Sequence, residues 1–304
     1  MDKEKNLLSK IFSFNGYEKD AHNIRENGKS VSRKSTEWIS ILSKKDVEGI
    51  DVFIKENTDN ESVKIPVILT VDGFSDKVYN DFYVGKNAKV TIEAGCGIEN
   101  DCESTSMHSG IHTFHLEEGS SVNYIEKHYG CGKFSNNKII NTDTIINMKD
   151  NCSLNIDTTQ LSGVDNALRI TKGNVSKNST LIINEKLLTS NEEMIKTVFN
   201  VSLIGENSNA KISSKAVAQN DSIQEFSSNV KGNCKCFAHI SCDAIMMDNA
   251  KVSSNPKIEA LSKDASLSHE AVIGKIAGEQ ILKLRTLGLS VNEAEEVIIK
   301  GFLS

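Results

Sequence analysis

A turn motif that recurs seven times along the chain limits the available folds more than any other feature. In each copy an apolar residue is followed, after two spacers, by Asn, Gly or Asp, then by a small residue, a spacer and a second apolar residue. Because these turn residues tolerate a positive φ, each copy predicts a tight turn between two short strands. The turn residues are Asn87, Gly119, Asn151, Asn178, Asn207, Asn249 and Asp264, at intervals of 32, 32, 27, 29, 42 and 15 residues.

Self-similarity at such a period is typical of a solenoid. The residues after the turns alternate between apolar and polar, as in Val90–Ile92 and Leu154–Ile156. The chain has only two prolines, Pro66 and Pro256, and the tract between them has none, which favours backbone N–H groups committed to sheet ladders. We therefore predict the stacked coils of a β-helix. A β-sandwich with repeated hairpins is the alternative, although a sandwich does not usually keep such a period.

The two ends of the chain differ from this core. Residues 1–64 form a predicted N-terminal helical segment, in which 35–42 and 47–55 read as short amphipathic helices. The core is assigned to residues 65–267 and a C-terminal helical segment to 268–304.

The C-terminal segment contains two predicted helices. The first covers 278–287 and stops at Gly288, and the second covers 294–300 and stops at Gly301. Ser290 and Glu293 have the spacing of a capping box that opens the second helix.

Composition excludes several function classes. With 35 basic and 41 acidic residues the net charge is −6, which gives no electrostatic reason to expect nucleic acid as a partner. The charged N-terminus and the absence of any apolar run of about 18 residues predict neither a signal peptide nor a membrane span. Seven cysteines, an odd number, fit free thiols in a reducing compartment, so we expect a cytoplasmic protein.

Three residues near the end of the repeats could meet in a coil stack. Cys242 lies in the segment 239–247, and His269 and Glu270 follow one coil later. A thiolate suits soft iron and sulfide, and an imidazole or carboxylate can complete the shell. The alternative remains that Cys242 is a small buried hydrophobe and that Ser268 caps a helix whose first turn carries the acid.

A second group of cysteines and histidines lies upstream. Two Cys and three His fall within 20 residues, but their spacing matches no standard zinc pattern, and they could equally belong to a turn and a sheet face. These secondary metal or sulfur candidates are Cys96, Cys102, His108, His112 and His115. A phosphate-binding loop is absent around Gly132 and Lys133, so we predict that this chain binds no nucleotide.

The C-terminal segments resemble the closing part of the SufB/SufD family of SUF iron–sulfur cluster assembly scaffolds. The resemblance runs through 239–247, 268–280, 284–290 and 294–302 almost element by element. Upstream, 109–115 and 126–130 resemble the short SufB-type proteins of archaea and anaerobic bacteria. The family implies a right-handed parallel β-helix core between helical ends, and a homodimer formed through one end of the β-helix.

The resemblance also implies a function and a set of residues. Carried over by motif, Cys242, Glu270 and His269 are the cluster or sulfur ligands of a transient iron–sulfur cluster. The partners implied are a SufC-like ABC ATPase and iron–sulfur recipient proteins, with the ATPase activity in the separate subunit, so that this chain is a scaffold and not an enzyme. The C-terminal helices would dock the ATPase through Gln280, Ile281, Leu284, Leu287, Val297, Ile298 and Phe302.

Two other functions fit a β-helix. The chain could be an adaptor that binds the ATPase without holding a cluster, in which case its thiols only pack. It could also be a polysaccharide lyase or hydrolase, but aromatic residues make up only 6% of the chain, and sugar grooves need stacking rings.

Overall fold

A computed structural model of the chain describes residues 3–12, 19–135, 137–160 and 163–304. Residues 1, 2 and 13–18 of the predicted N-terminal segment therefore lie outside the described residues. The described residues form three helices and 19 strands: α1 Lys3–Ile11, β1 Ala21–Glu26, β2 Lys29–Lys34, β3 Ile39–Ser43, β4 Gly49–Ile54, β5 Glu61–Leu69, β6 Ser75–Val84, β7 Lys89–Glu99, β8 Ser106–Leu116, β9 Ser121–Cys131, β10 Lys138–Met148, β11 Ser153–Gln160, β12 Asn166–Val175, β13 Thr180–Thr189, β14 Met194–Leu203, β15 Ser208–Ala218, β16 Ile223–Gly232, β17 Cys236–Met246, β18 Lys251–Ala260, β19 Ala265–Gly274, α2 Gly278–Thr286 and α3 Val291–Leu303.

The strands stack into a two-sheeted parallel β-helix of about eight coils. Sheet A has the order β19-β17-β15-β13-β11-β9-β7-β5-β1-β2, and sheet B has the order β18-β16-β14-β12-β10-β8-β6-β4-β3. From β5 onward each coil gives one strand to each sheet, and every pair of stacked strands runs parallel. The β-helix prediction is thus confirmed, and the sandwich alternative is wrong because hairpin neighbours would run antiparallel.

Side chains that point inward form continuous ladders along the solenoid. Burial alternates at every residue of β8, as the period of two in a strand requires. In sheet B, Phe82 pairs with Phe114 and Phe114 with Ile146, so each apolar residue packs on its counterpart in the next coil. The rings of Phe82 and Phe114 stack with centroids 4.9 Å apart.

The first five predicted turn residues lie at one corner of the coils. Asn87, Asn151, Asn178 and Asn207 have φ between 53° and 60°, and Gly119 has φ 76°. All five lie where the chain passes from sheet B to sheet A. Their side chains continue the stacking, because Asn207 Nδ2 donates to Asn178 Oδ1 at 3.2 Å, and Asn178 Nδ2 donates to Asn151 Oδ1 at the same distance.

The last two predicted turns are wrong in detail. In the sixth copy Asp248 takes the positive φ of 55°, not Asn249, and in the seventh copy Asp264 is not among the described residues with positive φ. Asp248 lies at the opposite corner, where the chain passes from sheet A to sheet B, together with Asn191 and Asn220. The irregular intervals of 42 and 15 residues arise because one copy belongs to this second row of turns.

The helices predicted at 35–42 and 47–55 are wrong. These stretches form β3 and β4, an antiparallel hairpin that closes the first end of sheet B. Ile39 and Ile41 alternate with exposed residues and are buried, so the period of two prevails over any helical period.

The N-terminal helix is α1, whose Leu7 and Ile11 pack on the outside of sheet A. Gly97 in β7 leaves room for this contact, because a Cβ there would come within 3.2 Å of the Leu7 Cβ.

At the other end the solenoid extends further than predicted. Ser268, His269 and Glu270 lie inside β19, so the helix-cap interpretation of this segment is wrong. The two predicted helices are confirmed as α2 and α3. The capping box is present, since Ser290 Oγ accepts from the Glu293 backbone N–H and Glu293 Oε2 accepts from the Ser290 N–H.

The asparagine row gives a test of the turn geometry. Replacing Asn178 with Ala is expected to lower the free energy of unfolding by about 1–2 kcal/mol, because alanine resists positive φ. Asn178→Gly should cost less, since glycine adopts that φ freely. Asn174→Ala, on the exposed outer face of β12, is the matched control. Chemical denaturation of the three variants measures the differences, and equal losses for Asn178→Ala and Asn174→Ala would contradict the assignment.

Candidate functional site

The last two coils determine where the three predicted ligands point. In the register of β17 and β19, Cys242 pairs with Ala271, Ile240 with His269 and Ser241 with Glu270. Cys242 and Ile240 face the interior, so His269 also faces inward and is the diagonal neighbour of Cys242. Glu270, one residue later, points to the outer face. The structure thus places the thiol and the imidazole on the same inward face, as diagonal neighbours on adjacent strands, and the carboxylate on the other side of the sheet.

Cys242 is a buried thiol. It is 1% exposed, and its ladder neighbour in the preceding coil is Ser214. Burial raises the pKa of this thiol to about 11, whereas the nearby Ser254 hydroxyl of the facing sheet acts in the opposite direction and lowers it. The Ser254 hydroxyl is not aligned for a hydrogen bond within the described structure. Cys242 therefore carries its proton at neutral pH.

His269 offers a nitrogen without a partner. Its Nε2 atom is buried and makes no hydrogen bond to any part of the chain that the structure describes. Burial lowers the pKa of His269, so the imidazole is neutral at pH 7. A neutral imidazole with a free ring nitrogen is the form that binds metal ions.

Glu270 belongs to a separate polar group on the outer face of sheet A. Its Oε1 atom lies 3.2 Å from His239 Nε2, and the other ring nitrogen of His239 lies 2.9 Å from the Ser268 hydroxyl. The Glu270 side chain remains 64% exposed. It is therefore accessible from outside the solenoid, while Cys242 is not.

A row of buried charges in the interior was not anticipated from the sequence. Arg169 Nη2 donates to Glu126 Oε2 at 3.0 Å, and Arg169 Nε lies 3.5 Å from Glu185 Oε1. Burial alone would raise the pKa of Glu126, but the neighbouring His128 and Arg169 outweigh it and hold the pKa well below its usual range. We call Glu126, His128, Arg169 and Glu185 the polar seam.

The polar seam leads toward Cys242. Glu185 accepts a hydrogen bond of 2.8 Å from Ser214 Oγ, and Ser214 pairs directly with Cys242 in the next coil. Burial raises the pKa of Glu185, and the charge of Glu185 in turn raises the pKa of Cys242. The sequence contains a signal for this arrangement. In β9 and β13 inward and outward residues alternate, and Glu126 and Glu185 fall at inward positions, where apolar residues are expected.

The secondary candidates divide between the two faces. Cys96, His108 and His112 point into the interior and are buried, with burial lowering the pKa of His112 to about 4. His115 lies outside, stacked on Tyr83 with ring centroids 4.7 Å apart, and Cys102 lies in a loop. No group of three or more His, Cys, Asp or Glu side chains in the described part of the chain is placed to hold a metal ion.

The C-terminal helices present an apolar surface. Leu287 is 76% exposed, and Leu282 and Val297 are exposed as well. Phe302 is half-buried, and the Lys215 ammonium lies 5.8 Å from its ring centroid, which ties α3 to β15. Of the predicted docking residues, Gln280, Leu287 and Val297 are exposed, whereas Ile281, Leu284, Ile298 and Phe302 are half-buried.

Comparison with known proteins identifies the family. A family model described as SUF system FeS cluster assembly, SufBD core domain, matches residues 79–302. The chain belongs to the SufBD family. A SufBD family protein of Archaeoglobus fulgidus is 25% identical over 270 residues, covering 85% of this chain and 69% of the relative. One from Pyrococcus horikoshii is 24% identical over 291 residues, covering 92% of this chain and 86% of the relative.

The SufBD relatives are not all of the same length. The chain spans only 55% of a SufBD family protein of Methanothermobacter thermautotrophicus, with 26% identity over 235 residues. The SufB protein of Bacillus subtilis is 40% identical over 67 residues, or 22% of this chain. Membership of the SufBD family supports a role in iron–sulfur cluster assembly. In the described residues of this SufBD chain, no helix has the length and apolar character needed to span a membrane.

The buried thiol predicts a pH dependence. Because the folded chain raises the pKa of Cys242 from 9.0 to about 11, folding favours the protonated thiol. This contribution to stability is present below about pH 9 and is lost as the pH rises toward 11. Alkylation of Cys242 by iodoacetamide, followed by mass spectrometry, should be slow at pH 8 and accelerate only at higher pH.

Two controls accompany this measurement. Cys102, which is partly exposed, reports the activity of the reagent in the same sample. Ser254→Ala removes the hydroxyl that lowers the pKa of Cys242 and should shift the alkylation profile to still higher pH. Alkylation of Cys242 at pH 8 as fast as that of Cys102 would contradict the buried, protonated thiol.

Proposed function

We propose that this chain is a scaffold on which a nascent iron–sulfur cluster is assembled at a dimer interface, gated by a separate SufC-like ABC ATPase. The observation that carries the proposal is the position of Cys242 and His269, which share one inward face in the last two coils of the solenoid. Thiolate and imidazole are ligands of iron–sulfur clusters. The cluster is cargo here, to be passed to recipient proteins in a reducing cytoplasm, where all seven cysteines are free.

The open end of the solenoid supports the dimer. β18 and β19 are the edge strands of the two sheets, and no further strand of the described chain pairs with them. Val272 and Leu261 in this last coil are 67% and 66% exposed. Unpaired edge strands with exposed apolar residues invite pairing with another chain, and a second copy placed across a twofold would cover both.

A dimer would also supply the missing ligands. Within one described chain only two of the three proposed ligands, Cys242 and His269, share a face, and two are too few for a cluster. Two copies joined at β18 and β19 would contribute two thiols and two imidazoles. Glu270 points to the other side of sheet A, so it would join the same cluster only after β19 is displaced and its contact with His239 is broken.

The ATPase would act through α2 and α3. Only residues 275–277 separate β19 from α2, so a displacement of the helices would also move β19. This strand carries His269 and covers Cys242. The exposed Leu287 and Val297 provide an apolar docking face. Opening the last coil would let Cys242 lose its proton to solvent and bind iron as the thiolate, the form that ligates metal.

Oxygen-free reconstitution tests the ligands. The purified chain is incubated with ferrous iron and sulfide, and iron, labile sulfide and the visible absorbance of the cluster are measured per dimer. Cys242→Ala should lose the absorbance, and His269→Ala should reduce it, because each removes a donor from the shared inward face. Cys131→Ala, a partly buried cysteine at the end of β9 that is not among the proposed ligands, is the matched control. A cluster that forms equally well on Cys242→Ala would reject the ligand assignment, and no cluster on any form would favour the adaptor without a cluster.

The dimer gives a separate prediction. Val272→Lys places a charge on the exposed face of edge strand β19 and should convert the dimer to a monomer in analytical ultracentrifugation. Its control is Leu168→Lys, an exposed apolar position in β12 at the middle of the solenoid. A Val272→Lys variant that stays dimeric, or wild-type protein that is monomeric, would rule out an interface at this end.

A further inference from the structure

A cavity of about 530 Å³ lies at the opposite end of the solenoid from Cys242. The hairpins β1–β2 and β3–β4 form its walls, and the inward residues Ile50, Ile65 and Val78 form an apolar floor. Seven strand spacings of about 4.8 Å, or about 34 Å, separate β1 from the strand of Cys242. The volume falls within the range of sites for small molecules. This cavity is therefore a separate candidate site.

Two of the cationic residues of the cavity wall are paired with carboxylates. Arg25 is paired bidentately with Asp76, through Nε at 2.9 Å and Nη2 at 2.8 Å, so its charge is already balanced. Lys44 is likewise paired with Asp51 and Asp81. The cavity wall includes five cationic residues and two carboxylates, namely Arg25, Lys29, Arg33, Lys44, Lys45, Asp46 and Glu48.

Three cations remain after these pairs are set aside. Lys29, Arg33 and Lys45 form no ion pair with any carboxylate in the described part of the chain, and of the two wall carboxylates Glu48 already contacts Arg25. Asp46 is the other wall carboxylate, and Glu26 lies directly opposite Lys29 in the register of β1 and β2. Counted with the carboxylates that pair with Arg25 and Lys44, the five cations meet five carboxylates, so the cavity has no net excess of charge, and its attraction for anions rests on the three cations that have no ion-pair partner.

Arg33 is held in place without losing its charge. Its Nε atom donates to Asn23 Oδ1 at 2.8 Å, and its Nη1 atom donates to Ser43 Oγ at 2.7 Å. Asn23 is buried, and both acceptors are neutral, so they orient the guanidinium but do not compensate it. Nη2 has no hydrogen-bond partner among the described residues. Arg33 is exposed, and an oriented guanidinium without a carboxylate partner is well suited to a phosphate or carboxylate group.

We propose that this cavity binds a small polyanion bearing phosphate or carboxylate groups, with Arg33 as the orienting contact and Lys29 and Lys45 at the rim. The cationic rim takes the anionic groups and the apolar floor accepts a short carbon body. The site lies at the far end from the proposed cluster ligands and is independent of them.

Protection of the sheet edges is a competing explanation for the same charges. β2 and β3 are the edge strands at this end, and lysine and arginine on an edge strand prevent edge-to-edge aggregation. Edge protection requires only charge, so Arg33→Lys would preserve it. Anion binding by an oriented guanidinium also requires the planar fork, which Arg33→Lys removes.

Calorimetric titration of the full chain distinguishes these roles. Inorganic phosphate and citrate are the two probes, with potassium chloride at matched ionic strength as the blank. We expect saturable binding of at least one probe, and whichever binds more tightly identifies the group that the site prefers. Arg33→Gln and Arg33→Lys should each weaken it by about tenfold or more. Lys211→Gln, an exposed lysine on the outer face of β15, should leave it unchanged.

Thermal melting without ligand establishes that each variant is folded. Should Arg33→Gln fail to fold, the double variant Lys29→Gln, Lys45→Gln at the exposed rim must show the loss of affinity instead. Absence of saturable binding for both probes overturns the proposal, and so does full affinity in a folded Arg33→Lys variant. Cluster reconstitution on Arg33→Gln should remain normal, because the proposed ligands lie at the other end.

Discussion

The stacking of each inward side chain on its counterpart in the next coil governs the whole structure. Strands of a parallel β-helix lie about 4.8 Å apart, so residues of one ladder are in contact whether or not they are compatible. In apolar ladders such as Phe82, Phe114 and Ile146 the neighbours are compatible, because their side chains pack against one another. A buried charge needs an opposite charge or a hydrogen-bonding group in a neighbouring strand, since an unpaired one costs several kcal/mol. The polar seam meets this requirement with one arginine between two glutamates.

The same constraint explains the properties of Cys242. Its ladder begins with apolar residues, passes through Glu126 and Glu185, and reaches Ser214 before the thiol. The thiol is thus at the end of a polar row and is still enclosed, so it experiences both burial and a nearby carboxylate. Both effects raise its pKa. A cysteine at this position is kept protonated by its surroundings rather than activated by them.

Much of this architecture could be read from the sequence. The Asn and Gly turns predicted the coil period because a positive φ restricts the residue types that can occupy it, and Asn87 and Asn151 lie at the predicted corner. The helices predicted at 35–42 and 47–55 failed because short strands and short amphipathic helices have similar apolar spacing over so few residues. What identifies Ile39 and Ile41 as strand residues is the pairing of β3 with β4, which is a tertiary contact.

The site was harder to predict because the relative orientation of neighbouring residues depends on the element that contains them. His269 and Glu270 are adjacent in sequence, so in a strand they must point to opposite faces, whereas the helix-cap interpretation imposed no such separation. The partnership of Cys242 and His269 follows from register alone. The polar seam was missed because no turn motif marks it; only the occurrence of Glu126 and Glu185 at inward positions reveals it.

The last coil is held by fewer neighbouring strands than an interior coil, and it also has a central role in the proposed function. An interior coil is held by a strand on each side in both sheets, but β18 and β19 are each held on one side only. Cys242 itself lies in β17, between β15 and β19, and one of the two strands that flank it, β19, is held on one side only. A partner that pulls on α2 works directly on β19, through a connection of three residues. Local opening at this end disturbs no interior ladder, so the thiol can be exposed while the rest of the solenoid remains folded.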